Sequence, residues 1–169
     1  MTGAELKALQ APVKEKYKQH PEAALVTLHA VGHVNADDVT CRVERRAGPA
    51  LAGLHPATGG SGAELCSGDM LLEALVACAG VTLKAVATAM EIPLRAGTIR
   101  AEGDLDFRGT LGVDKTVPVG FRAIRLSFQL DTDAAQDKLD TLLKLTERYC
   151  VVFQTLNAKP ELTATLQRA

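Results

Sequence analysis

One stretch constrains the fold more than any other. Residues 69–91, DMLLEALVACAGVTLKAVATAME, hold only four charged side chains, Asp69, Glu73, Lys84 and Glu91, and only Glu73 and Lys84 lie in the interior. A run this apolar reads as a helix. Its lack of a polar face predicts that protein wraps it on nearly all sides. Ser67 is the expected N-cap, Asp69 would sit favourably in the first turn, and Pro93 bars easy continuation past Glu91. Gly80 and the alanines at 74, 77 and 79 leave room for another element to approach closely. The ten residues ALVACAGVTL, 74–83, carry no charge and centre on Cys78.

The other elements follow from pattern. Residues 5–19 place Leu6, Leu9, Val13 and Tyr17 at helical spacing among four lysines, with Pro12 inside, which predicts a short or kinked surface helix closed by His20-Pro21. AALVTLHAVGHV and VTCRVERR, joined by the turn cluster NADD, predict a β-hairpin. Residues 47–68 hold six of the fourteen glycines and read as a long loop, either a plain connection or a place for binding residues. GTIRAEGDLDF and GFRAIRLSFQLD alternate as long strands about the connection RGTLGVDKTVPV. Asp133 and Gln136 have capping-box spacing ahead of a second long helix, whose apolar face runs through Leu139, Leu142, Leu143, Tyr149, Cys150, Phe153 and Leu156. PELTATLQR is the expected last strand. The order α-β-β-α-β-β-α-β defines an α+β domain without internal repeats.

Composition removes several functions. A net charge of −1 gives no electrostatic footprint for nucleic acid or an anionic membrane, and six aromatics without tryptophan make poor stacking platforms for bases. The N-terminal residues mix both charge signs and lack an apolar leader core, and the longest uncharged apolar run, ten residues, is short of a membrane span. A cytoplasmic protein is expected. Cys41, Cys66, Cys78 and Cys150 show neither CxxC nor Cys/His zinc spacing, so no metal and no disulfide scaffold is expected. In a reducing compartment a disulfide among them would be transient, hence catalytic or sensory.

From residues alone the cysteines stay open between two readings. Cysteine is ordinarily a small buried hydrophobe, and the apolar settings of Cys78 and Cys150 would raise a thiol pKa. A working thiol at 78 would need a cation or donor from another segment, because the helical neighbours Ala74, Val81 and Thr82 are expected to supply none. His55, in the glycine-rich loop, is a candidate donor or partial cation near Cys78, with a solvated loop histidine as the alternative. His29 and His33 lie in the first expected strand and face either way. Cys66 lies twelve residues before Cys78, roughly 18 Å along a helix, too far for a disulfide within it. Cys41 reads as packing.

The pattern GGSG followed by SGDMLLEALVAC, with ERYCVV some seventy residues later, resembles the OsmC/Ohr family of thiol-dependent hydroperoxide reductases. AEGDLDFRGTLGVDKTVPVGFRAIRLSF is similar to the paired strands of that family. The resemblance implies an OsmC-like fold, with two long central helices wrapped by antiparallel sheets in an intertwined homodimer. Residues 21–169 would form the domain and 1–20 a helical extension. It implies that Cys78 attacks the peroxide bond of an organic hydroperoxide and that Cys150 resolves the sulfenic acid. An external dithiol reductant would reopen the disulfide, without a cofactor. Asp69 matches an acidic residue that the family often carries in the first turn. Hydroperoxide-reducing members have an arginine in the first hairpin where this chain has His29, and Pro-Val-Ser after the second cysteine where it has Val151, Val152 and Phe153. These departures favour an alternative function on the same fold, binding of a small apolar ligand.

Overall fold

In the computed structural model, which describes residues 1–168, the chain begins with helix α1, Gly3–Gln19. Thr2 and Glu5 form a reciprocal capping box, the Glu5 N–H donating to Thr2 Oγ1 at 3.2 Å and the Thr2 N–H to Glu5 Oε2 at 2.8 Å. The helix runs through Pro12 without ending, so it is longer than the proline suggests, and it buries none of its side chains. Its first turn abuts the far end of the central helix, where Gly3 lies so near the Thr88 carbonyl that a Cβ would come within 2.9 Å of that oxygen.

Short strands follow: β1 Gly32–Val34, β2 Cys41–Val43, β3 Ala50–Gly53 and β4 Leu65–Cys66. They form one sheet in the order β1-β2-β3-β4, antiparallel except for the parallel β3–β4 pair. The hairpin is present but much shorter than its β-branched pattern predicts, and the glycine-rich stretch supplies two strands as well as loop. The central helix α2 spans Ser67–Ala89, with Cys66 and not Ser67 at its N-cap. It ends in a Schellman arrangement: Ile92 N–H donates to the Ala87 carbonyl and Glu91 N–H to that of Thr88, with Glu91 at φ 55° in the left-handed region.

Strands β5, Ala96–Leu105, and β6, Phe121–Asp131, pair antiparallel from Ala96 with Asp131 to Leu105 with Phe121. The register slips at Asp104 and Leu105, where Gly103 leaves space for the Phe121 ring. A short helix α3, Phe107–Thr110, lies between them. Helices α4, Gln136–Tyr149, and α5, Val151–Asn157, close the described fold. The expected capping box does not form, because Ala135 is the N-cap and Asp133 is taken by Arg95, which bridges Asp131 and Asp133. Residues 160–168 are not a strand here and pair with no other segment among the described residues.

The core follows one stripe of α2. Leu75, Ala79, Leu83 and Ala87, each four residues on, are its buried side chains. The C-terminal pair packs with Ile92 and Leu142, and the N-terminal pair with Cys150. By length and apolarity α2 could cross a membrane, but its buried stripe packs on β5, α4 and α5. The expectation of cover on nearly all sides is not met within one chain: Val81 is 74% exposed and Leu71 is 39% exposed.

Candidate active site

The apolar pattern after residue 139 suggests one helix, yet the backbone breaks at Cys150. Cys150 is at once the C-cap of α4 and the N-cap of α5, with extended backbone (φ −74°, ψ 107°). Its N–H makes the last bond of α4, to the Thr146 carbonyl at 2.9 Å, and its carbonyl accepts the first of α5, from Gln154 N–H at 2.9 Å. The Gln154 side chain satisfies the Glu147 carbonyl at 2.8 Å, which lies at the end of α4. This one-residue break starts α5 against α2, so that the N–H groups of Val151 and Val152 act on Cys78.

Cys78 stands there, partly buried, against the cluster formed by Leu75, Ala79 and the almost fully buried Cys150. Both are free thiols. Burial pushes the Cys78 thiol up, but donors surround the sulfur and outweigh it: the Val152 N–H, the Cys150 thiol, the Val151 N–H and the Thr82 hydroxyl together hold Cys78 below the ordinary thiol range. None of these groups is a cation. Cys150 moves the other way. Burial raises it, the N–H groups of Phe153 and Val152 oppose this, and the adjoining Cys78 sulfur raises it further. One thiol is biased toward thiolate and its neighbour toward the protonated form. A nucleophile beside a thiol that can condense with its oxidised form is what such a pair offers chemically.

The main donors come from another segment, as expected, and Thr82, four residues along α2, adds the smallest effect. The amide donors of α5 were nonetheless hidden. Proline commonly marks the first residue of a helix, and Val151 occupies that position here, so the usual signal of a new helix after Cys150 is missing.

The supporting residues expected from sequence do not join the pair. Asp69 is exposed in the first turn of α2. His55 caps a short turn at Pro56–Thr58, its Nδ1 accepting from the Ala57 N–H at 3.0 Å, and stacks on Phe107 with centroids 4.9 Å apart. Both line a cavity of about 350 Å³ that also includes Cys66 and Phe121 and neither Cys78 nor Cys150. His29 is exposed in the irregular stretch ahead of β1 and is not among the groups acting on Cys78. His33 instead pairs with Glu44 at 2.9 Å, and Cys41 packs against Gly32. A second cleft, about 320 Å³, lies between β6, α5 and α2. Leu75, Ile124, Leu126 and Phe153, all members of the cysteine cluster, line it, with Arg122 and Asn157 also on its wall. Among the described residues no group of three or more His, Cys, Asp or Glu side chains is placed to hold a metal ion.

Fold and site together define a thiol-bearing α+β domain of a known kind. The profile of the OsmC-like protein family matches residues 60–165, more than half the chain, and the chain belongs to that family. No curated protein matches it in sequence. An OsmC-like protein from Mycoplasma pneumoniae superposes with a TM-score of 0.65 at 16% identity, covering 79% of this chain and 89% of that one. An organic hydroperoxide resistance protein from Elizabethkingia anophelis gives 0.63 at 14% identity, covering 80% and 91%. An organic hydroperoxide resistance protein OsmC from Legionella pneumophila gives 0.60 at 19%, covering 80% and 92%. At these identities the likeness is one of fold.

Proposed function

We propose that the protein is a thiol-dependent peroxidase that reduces organic hydroperoxides in oxidative-stress defence, with Cys78 peroxidatic and Cys150 resolving. The observation that carries this reading is the packing of two free thiols in one buried cluster, their acidities moved in opposite directions. The Cys78 thiolate attacks the distal peroxide oxygen; the O–O bond breaks, the sulfur becomes a sulfenic acid, and the alkoxide leaves and takes a proton as alcohol. Cys150 then attacks the sulfenic sulfur, forming the disulfide and releasing water. An external dithiol supplies two electrons and two protons to restore both thiols. The apolar cluster around Cys78, part of which walls the neighbouring cleft, suits the alkyl part of an organic peroxide better than hydrogen peroxide. The test is steady-state consumption of cumene hydroperoxide with a dithiol reductant: turnover lost in Cys78→Ser supports the reading, and turnover unchanged in that variant overturns it.

The working unit is proposed to be a homodimer in the cytoplasm. Apolar side chains left open on one chain support it: Leu25 at 89%, Leu28 at 86% and Leu166 at 100% exposure, besides Val81 on α2. A second copy would cover the bare side of α2. Sedimentation equilibrium tests this, a stable folded monomer at micromolar concentration being the contrary result.

A second reading is favoured by one observation: neither cysteine lines that cleft, whose wall combines Leu75, Ile124, Leu126 and Phe153 with Arg122 and Asn157. On that reading the domain binds a small apolar ligand and performs little peroxide chemistry. Binding of an unreactive aromatic alcohol by a protein that consumes no hydroperoxide would favour it.

A further inference from the structure

We infer that Gln154 is a positioning residue for the thiol pair: its side-chain amide holds the break between α4 and α5 in place, and with it Cys150 and the first turn of α5 against Cys78. This rests on the peroxidatic assignment of Cys78 for its use but not for its test. The chain does not enforce the break by itself. Residues 146–157, TERYCVVFQTLN, contain neither proline nor glycine, and apolar spacing runs on across Cys150, so an uninterrupted helix is the nearest competing conformation. In that helix the Val151 N–H would donate to the Glu147 carbonyl, four residues back. Among the described residues no such backbone bond forms. The Glu147 carbonyl is taken instead by Gln154 Nε2, at 2.8 Å. Donor and acceptor stand seven residues apart, roughly 10.5 Å along an uninterrupted helix and beyond the i, i+4 spacing of neighbours on one helix face, so this bond belongs to the broken form.

Gln154 grips the break twice. Its backbone N–H donates to the Cys150 carbonyl at 2.9 Å, tying α5 to the break, and its side chain ties α5 back to the last turn of α4. Among the described residues no other side-chain hydrogen bond joins the two helices. The break decides which side chains face the central thiol. On one straight helix Val152 would lie about 200° round from Cys150, on the far side. In the broken form Cys150, Val152 and Phe153 all pack in the cluster with Leu75 and Cys78. Released from Glu147, the Val151 N–H joins that of Val152 among the donors acting on Cys78. Gln154 itself is exposed and takes no part in that cluster, so it acts on the thiols only through the course of the backbone.

The experiment is oxidation of the reduced full-length protein by diamide, which takes up the two thiol hydrogens and leaves a Cys78–Cys150 bridge, followed over time by peptide mapping. Gln154→Met keeps the length and removes the donor; Gln154→Lys keeps a donor for the carbonyl. The Cα carbon chemical shift of Cys150 in each reduced protein reports whether its backbone is extended or helical. The expected result in Q154M is bridging slowed roughly fivefold, the size of one hydrogen bond, with the Cys150 shift moved toward the helical value. Q154K should stay near wild type in both. The thermal midpoint should barely change in either variant, because the side chain is exposed. If Q154M keeps the wild-type bridging rate or the wild-type shift, if Q154K loses as much as Q154M, or if the wild type forms no bridge, the inference is overturned. Should Q154M not fold, Q154A against Q154K makes the same comparison. Diamide is not a peroxide, so slowed bridging in Q154M of a protein that reduces no hydroperoxide would keep this inference and reject the peroxidase. Hydroperoxide turnover that depends on Cys78, beside an unaffected Q154M, would do the reverse.

Discussion

Cys150 lies against Cys78 from the single residue that separates α4 from α5, so the break that ends one helix also sets the partner of the central thiol. Replacing either cysteine should therefore have unequal effects. Cys78→Ser should abolish hydroperoxide consumption. Cys150→Ser should form no disulfide: one equivalent gives the Cys78 sulfenate, and a second and third carry it to sulfinic and sulfonic acid, because no thiol remains to trap the sulfenate. Intact mass after peroxide addition distinguishes the two.

The amide of Val151 is a donor that a proline in its place would lack. Val151 is the first residue of α5, where proline is tolerated, and the extended backbone of Cys150 suits a residue preceding proline. Val151→Pro should fold and should raise the Cys78 midpoint. The sign is fixed: with one donor fewer the thiolate is less favoured, so alkylation at a given pH below the midpoint slows. Unchanged reactivity in folded V151P would remove the helix end from the account.

Acid stability offers an independent check away from the thiols. Arg108, through its guanidinium and its backbone N–H, holds the Asp106 carboxyl down to about 2 from an ordinary value of 3.8. A depressed folded value contributes stability that is complete above the unfolded value and lost as pH falls through the folded one. Asp106→Asn should accordingly flatten the drop in thermal midpoint between those two values while lowering it at neutral pH, where the ion pair and the cap on α3 are both present.

The C-terminal end of α2 carries a residue of the wrong kind for its backbone. Glu91 holds φ 55°, where a side chain costs about 1–2 kcal/mol. Glycine avoids that cost but loses more freedom on folding, so Glu91→Gly should stabilise the protein by ~0.5–1 kcal/mol. Leu142→Ala in the cluster just behind should cost about 2–5 kcal/mol. Urea unfolding measures both.

Much of this was legible in the chain. The apolar run around Cys78 announced the central helix, and the alternation in residues 96–105 and 121–131 announced the long hairpin, because each pattern reports a face that must be buried. The break at Cys150 was not legible: apolar spacing continues across it, and Val151 carries no stop signal. The donors on Cys78 escaped for a related reason, since backbone N–H groups have no letter in a sequence. Asp69 and His55 were expected near the thiols, but α2 holds its first turn at the opposite end of the site, and the Phe107 stack keeps His55 there. The strands expected at 23–34 and 160–168 carry strand patterns yet are unpaired in one chain for most of their length, which is where a second copy is proposed to act.

The most direct test of the account is titration of the fully reduced protein with cumene hydroperoxide, followed by intact mass and disulfide mapping. The account predicts loss of two hydrogens after about one equivalent and a Cys78–Cys150 bridge, with Cys41 and Cys66 left as thiols. No reaction, or a bridge that leaves Cys78 out, would contradict it.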